Sequence, residues 1–265
     1  MTLVRVVHTA ARLDALAGLL DVAVQAARES GAGEEGEHDV RLAAEEVLIN
    51  VINHAYPAGA PGPLVLRARV EPGVLTLTVL DEGTPFAPVQ APAPDLGSEW
   101  ADRRIGGLGW HLVGKLMDEV RHRDRGERGN ELTMIKRFGA PGSLPSTTLG
   151  QGAMQIEVER RGQVTVAGVN GNVDGLTSAE LSRVLGGEVA AGGHRMVVSL
   201  AGVDYTSSAG LRVLLAVVKD ARARGGDVRL AAVRDNVRKV LELSGFTSIL
   251  KLYPDVDAAV ASFGG

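Results

Sequence analysis

The sequence contains no cysteine. Disulfides, cysteine-ligated zinc and cysteine nucleophiles are therefore excluded, and a disulfide-built secreted scaffold with them. The N-terminal stretch MTLVRVVHTAARLD lacks the apolar core and small-residue cleavage site of a signal peptide. No run approaches the ~18 uninterrupted apolar residues of a membrane span. Positive charge is not in excess: 28 Lys and Arg stand against 32 Asp and Glu, a net charge of -4. A dominant basic surface for nucleic acid is thus not expected. Together these absences lead us to expect a cytoplasmic protein with no membrane segment and no direct nucleic-acid contact.

What is present is ordinary globular material. Hydrophobic residues make up 45% and charged residues 23%, which suits a folded chain with a real core. At roughly 150 residues per domain, the 265 residues favour two domains. The stretch 139–152, GAPGSLPSTTLGQG, is rich in Gly, Pro, Ser and Thr and reads as a linker. It separates a unit over 1–138 from one over 153–265.

In the first half, Leu13, Leu16, Leu20, Val24 and Ala27 recur at helical spacing, which predicts a helix over Thr9 to Ser30 stopped by Gly31. A second helix is expected from about Asp39 to Ala55. LVLRARV and VLTLTVLD alternate about Pro72-Gly73 and predict a hairpin. A long Pro-rich stretch, Glu82 to Arg104, has the length of a functional lid. A helix from about Gly109 to Met117 and two more strands complete an α/β sandwich. The second half alternates, with strands expected at 155–159, 163–169, 195–200 and 227–233. Helices are expected at 177–190, 208–224, 235–243 and 255–263. Thr177 with Glu180 reads as a capping box and Asp235 as an N-cap.

Three segments of the first half carry chemistry. In AAEEVLINVINHAY, Glu46, Asn50 and His54 are spaced four apart and share a helical face, while Val40, Val47 and Val51 point to the core. An acid and an amide so placed could accept a proton and hold a hard cation, although a solvated polar face has the same pattern. In LTVLDEGTPF, Asp81 ends a strand. Its carboxylate can accept a hydrogen bond from a base amino group, and Gly83 permits close backbone approach. In RRIGGLGWHLVGKLMDEV, the glycines Gly106, Gly107 and Gly109 precede an apolar helix, where free N–H groups and the helix dipole favour phosphate.

In this order the segments resemble the nucleotide-binding boxes of the GHKL ATPase superfamily, and in detail its anti-sigma-factor serine kinases. The motifs are E-x-x-x-N-x-x-x-H-A-Y, D-E-G-x-P-F, G-G-L-G-x-x-L-V-x-K-L-M-D-E-V and G-N-E-L-T-M-I-K, spanning about 10–138. The resemblance implies ATP bound with Mg²⁺ beneath the Glu82–Arg104 lid. It makes Glu46 the general base, Asn50 the Mg²⁺ ligand and Asp81 the reader of adenine. Gly83 would line the adenine pocket, Gly106, Gly107 and Gly109 would wrap the phosphates, and Thr133 would approach the base through water. Related kinases carry an arginine near the glycines. Ile105 holds the aligned place here, and Arg103 or Arg104 could reach the terminal phosphate.

In the second half, MVVSLAGVDYTSSAGLRVLLAVV runs from an apolar strand through a turn into a helix, with Ser208 at the helix start. Alone, Ser208 reads as an N-cap. Its flanks, V-N-G-N-V-D-G-L-T-S-A-E-L and V-R-K-V-L-E-L-S-G-F, are similar to those of STAS anti-sigma-factor antagonist domains over about 153–263. That resemblance implies that Ser208 is a phosphoacceptor, with Ser207 as the minor alternative. Asp174 would be the acidic residue near the acceptor, or a loop cap. The expected fold is a GHKL-type α/β sandwich followed by a STAS-type α/β domain. The expected function is partner switching: an ATP-dependent serine kinase joined to its kind of substrate. Its partners would be a sigma factor or a separate antagonist or kinase, and it would act as a homodimer. The alternative is an interaction module that binds ATP without phosphoryl transfer.

Overall fold

A computed structural model describes residues 2–85, 107–139 and 154–264. The expected linker lies outside them apart from Gly139, and so does the lid beyond Pro85. The chain divides into two compact units.

The first unit is a five-stranded antiparallel sheet in the order β1-β2-β3-β5-β4. Its strands are β1 (Leu3–Ala10), β2 (Pro63–Glu71), β3 (Val74–Asp81), β4 (Glu119–Asp124) and β5 (Asn130–Arg137). Its helices are α1 (Leu16–Glu29), α2 (Glu34–His54) and α3 (Leu108–Leu116). Strand side chains alternate between faces. Leu64, Leu66 and Ala68 of β2 and Leu75, Leu77 and Val79 of β3 are buried, and share one core with Leu19, Ala23, Val40 and Val47 of the helices. The hairpin forms as expected, with Gly73 at φ +75° in its turn.

The expected helix over Thr9 to Ser30 is corrected at its start. Residues 3–10 form β1, which pairs along its length with β2, Thr9 facing Leu64. The helical spacing from Leu13 onward is genuine. Upstream, LVRVVHTA finds backbone partners at the free edge of β2, and that pairing overrides local helix preference. Helix α2 begins earlier than expected, with Glu34, Glu35 and Glu37 in its first turn, where carboxylates favour the helix dipole. Lys136 fastens this layer. Its ammonium pairs with Asp39 at 3.0 Å and donates to the Leu116 carbonyl at 2.6 Å, joining β5 to α2 and to the end of α3.

The second unit has a sheet in the order β10-β9-β8-β7-β6. Its strands are β6 (Gln155–Arg161), β7 (Val164–Asn170), β8 (Arg195–Gly202), β9 (Asp227–Ala231) and β10 (Lys251–Tyr253). Only β6 and β7 run antiparallel; the other neighbours are parallel. The connecting helices are α4 (Ser178–Ala190), α5 (Ser208–Ala223) and α6 (Asp235–Leu243), followed by α7 (Val256–Ala261). Met196, Val197, Val198 and Leu200 of β8 are all buried, the pattern of a strand covered on both faces. Strand β10 was not expected, because three residues are too few for a readable period. The Thr177–Glu180 capping box does not form: the Thr177 hydroxyl instead donates to the Asn172 carbonyl at 2.9 Å. Asp235 is the first helical residue of α6, and Arg234 occupies the cap position.

Candidate functional site

Helix α2 and the ends of β3 and β5 enclose a cavity of about 250 Å³ in the first unit. Its wall includes Val47, Asn50, His54, Asp81, Trp110, His122, Asn130 and Leu132. Asn50 and His54 reach it because four-residue spacing keeps them on one face of α2. Asp81 is 5% exposed, and its Oδ1 accepts from the Gly83 backbone N–H and from the Asn130 amide, each at 2.9 Å. Both bonds fall on one oxygen, which leaves the other for a donor in the cavity.

Glu46 lies one turn before Asn50 and is 4% exposed. A Cβ added at Gly109 would collide with the Glu46 carboxylate, whose carbon lies 3.1 Å from that point. The glycine is thus the gap into which the acid fits, and α2 brings it against the start of α3. Gly107 occupies the cap position of α3 with φ +84° and, having no side chain, supplies no cap bond of its own. Gly109→Ala is expected to overpack this contact and destabilise the unit by roughly 1–3 kcal/mol. Urea denaturation checks this; an unchanged midpoint would show that the carboxylate relaxes freely.

Two expected residues are placed differently. Thr133 is not at the cavity. It pairs in register with Thr78, their hydroxyls 3.4 Å apart, whereas Leu132 and Asn130 have the parity that faces the helices. Gly83 is not in the wall either. A Cβ there would strike the Ala55 carbonyl and lie 2.6 Å from the Ala55 Cβ. Its role is to let the Asp81 turn lie against the end of α2, where Thr84 N–H donates to Ala55 at 2.9 Å. Gly106, Arg103, Arg104 and Ile105 lie outside the described residues.

Two further residues shape the site. Asn130 stands opposite Asp81 in the β3–β5 register and also donates to the Thr84 carbonyl at 3.1 Å. Alternation with the apolar Leu132 and Met134 was the signal that could have found it. The Tyr56 hydroxyl donates to the Pro63 carbonyl at 2.5 Å and accepts from Glu82 N–H at 2.7 Å, pinning the turn that presents Asp81. Burial pushes the Tyr56 phenol up, against the bond from Glu82.

In the second unit, α5 begins at Ser208, and Ser207 takes the cap position with extended backbone and no side-chain cap bond. The N-cap reading of Ser208 is therefore corrected. Arg212 donates to the Ser208 hydroxyl at 2.7 Å, and both serines are 1% exposed. Val173 and the turn are laced together, Ser207 N–H donating to the Val173 carbonyl at 2.8 Å. A Cβ on Gly210 would lie 2.5 Å from Val173 Cγ1 and 2.6 Å from Thr206 Oγ1, so only glycine fits. Asp174 accepts from the backbone N–H groups of Leu176 and Thr177, both at 3.0 Å, which makes it a loop cap.

The model of the histidine kinase-like ATPase domain matches residues 9–136, and that of the STAS domain matches 155–259. BtrV of Bordetella bronchiseptica, which carries the name anti-sigma factor antagonist, is 36% identical over 110 residues, 42% of this chain and 95% of that protein. The chain belongs to the anti-sigma-factor antagonist STAS family, with a histidine kinase-like ATPase domain ahead of the STAS domain. The serine/threonine-protein kinase BtrW of the same organism is 31% identical over 93 residues, 35% of this chain and 65% of the kinase. The chain thus spans a little under two thirds of that relative. An anti-sigma factor antagonist structure from Mycobacterium paratuberculosis superposes with a TM-score of 0.40 at 24% identity, covering 44% of this chain and 100% of that one.

ATP suits the cavity chemically. Asp81 offers an acceptor to an amino group, and apolar Val47, Val79 and Leu132 offer faces to a ring. Among the described residues no group of three or more His, Asp or Glu could cage a metal. An Mg²⁺ at Asn50 would therefore take its other ligands from phosphate oxygens and water, which is how this ion is commonly held.

Proposed function

We propose that the chain is a partner-switching regulator whose first unit is an ATP-dependent serine kinase. Its substrate is the serine of an antagonist domain, Ser208 of this chain or its counterpart in a separate protein. The observation that carries this reading is the buried Glu46 carboxylate, seated in the gap at Gly109 and one helical turn from Asn50 on the cavity wall. Bound ATP with Mg²⁺ supplies the phosphoryl group and neutralises its charge. The protein's task is then positioning and proton removal. Asp81 holds the base, Asn50 the metal and Gly107 and Gly109 the phosphates, while Glu46 takes the proton of the serine hydroxyl. Sigma factors and separate antagonists or kinases are the proposed partners, with a homodimer as the working form. No helix among the described residues is long and apolar enough to cross a membrane.

The metal assignment has its own test. Asn50→Ala is expected to raise the Kd for ATP about tenfold or more in Mg²⁺, a loss of about 1.4 kcal/mol, and to change it little in EDTA. Calorimetric titration in both media reads the difference. Equal losses would make Asn50 a packing residue.

A further inference from the structure

His122 sits on β4, in register with Leu132 of β5, which is itself in register with Val79 of β3. These three form one row across the cavity floor, and Asp81 and Asn130 begin the next. The floor is otherwise built for an apolar ring, so an imidazole in this row is out of keeping with Val79 and Leu132. His122 Nε2 is buried and has no hydrogen-bond partner among the described residues. A buried nitrogen left unpaired is costly unless a partner arrives to satisfy it. A cavity containing such a nitrogen is incomplete until a polar ligand enters.

Given nucleotide binding in this cavity, as proposed above, we infer that His122 hydrogen-bonds the purine base and adds to nucleotide affinity, while the choice of adenine over guanine falls to Asp81. Two strand spacings and two residues separate His122 from Asp81, about 12 Å between Cα positions. A purine with a hydrogen bond at either end spans such a distance. Asp81 accepts from an exocyclic amino group, and His122 Nε2 engages a second polar atom on the far side of the ring. A neutral imidazole nitrogen can donate or accept according to its tautomer, so the base selects the tautomer that suits it. Guanine presents a carbonyl where adenine presents the amino group. It would set an acceptor against Asp81, whereas the far edge of the ring offers His122 a ring nitrogen in either base.

The test uses the full chain and its His122→Phe variant, titrated calorimetrically with ATP, ADP and GTP in Mg²⁺. Phenylalanine keeps the ring and removes the nitrogen. ATP and ADP should each bind about tenfold more weakly, with their ratio unchanged because the lost contact is to the base. GTP should lose affinity by a similar factor, so the ATP-to-GTP preference should stay unchanged. Without nucleotide, the variant should melt at or above the wild-type temperature, since an unpaired buried nitrogen has been replaced by carbon. His122→Gln, which retains a donor and an acceptor, should keep ATP affinity within about threefold of wild type. Wild-type ATP and ADP affinity in His122→Phe would overturn the assignment while leaving nucleotide binding intact. Equal losses in the Phe and Gln variants would overturn it too, and would make His122 a packing residue. A wild-type protein that binds none of the three nucleotides would remove the nucleotide reading itself, and the role of His122 with it.

Discussion

Glu46→Gln is expected to cut phosphoryl transfer by about 10²–10⁴-fold, the usual worth of a general base, while ATP affinity stays near wild type. The substitution keeps the shape of the side chain. It therefore keeps the fit against Gly109, where the space for a Cβ is already filled by the Glu46 carboxylate. What it removes is an oxygen able to take a proton. Nothing about the base pocket changes, because Glu46 is not among the residues of the cavity wall. Affinity and rate should thus separate, the signature of a group that acts in the transition state alone. Initial rates of phosphate incorporation, beside calorimetric titration with ATP, read both quantities. An unchanged rate would remove Glu46 from the mechanism. A wild-type chain that binds ATP but incorporates no phosphate into itself or an antagonist domain would favour the interaction-module alternative.

Most of this site could be read from sequence because local periodicity positions it. Asn50 and His54 share a helical face by spacing alone and both line the cavity, whereas Glu46 of that face does not and Val47 and Val51, read as core, do; Asp81 ends an alternating strand that the hairpin fixes. What could not be read depended on partners distant in sequence. Thr133 has the hydroxyl that the motif suggested, yet the pairing of Thr78 with Thr133 and Asp81 with Asn130 decides which face each side chain takes. A shift of one residue exchanges the two faces of a strand, so the choice between Thr133 and Asn130 was a question of register. The same applies to β1. Its residues can extend or coil, and the free edge of β2 decides. The cap at Thr177 was misread for a related reason. Its hydroxyl bonds the Asn172 carbonyl and Asp174, within a loop whose path follows from the lacing of Val173 to the serine turn. The glycines illustrate the same limit. Gly83 and Gly109 are visible as letters, but only the approach of Ala55 and of Glu46 explains what a side chain at either would meet.

Ser208→Ala is expected to reduce phosphate incorporation into the second unit to background, and Ser208→Asp to change partner affinity without unfolding the domain. A phosphoserine carries roughly -1.5 to -2 charges at neutral pH. At the start of a sixteen-residue helix, the dipole and the free N–H groups favour that charge by about 0.3–1 kcal/mol. Arg212 already donates to the Ser208 hydroxyl at 2.7 Å, one turn along the same face. It is therefore in place to meet a phosphate or a carboxylate with a charge-assisted bond. Opposing this is burial. Ser208 is 1% exposed, so its hydroxyl must be uncovered before it attacks, and an anion left there must be paired or turned outward. The Val173 side is already tight against Gly210, which offers no room for a phosphate. The group would have to face away from Val173 and alter whatever surface a partner meets there. Mass-spectrometric mapping of phosphate, thermal unfolding and partner titration of the two variants separate these effects. If Ser208→Ala takes up phosphate as wild type does, the acceptor lies elsewhere. Ser207, whose buried hydroxyl has no partner among the described residues, would be next. If Ser208→Asp binds every partner as Ser208→Ala does, phosphorylation at this turn marks the protein without switching it.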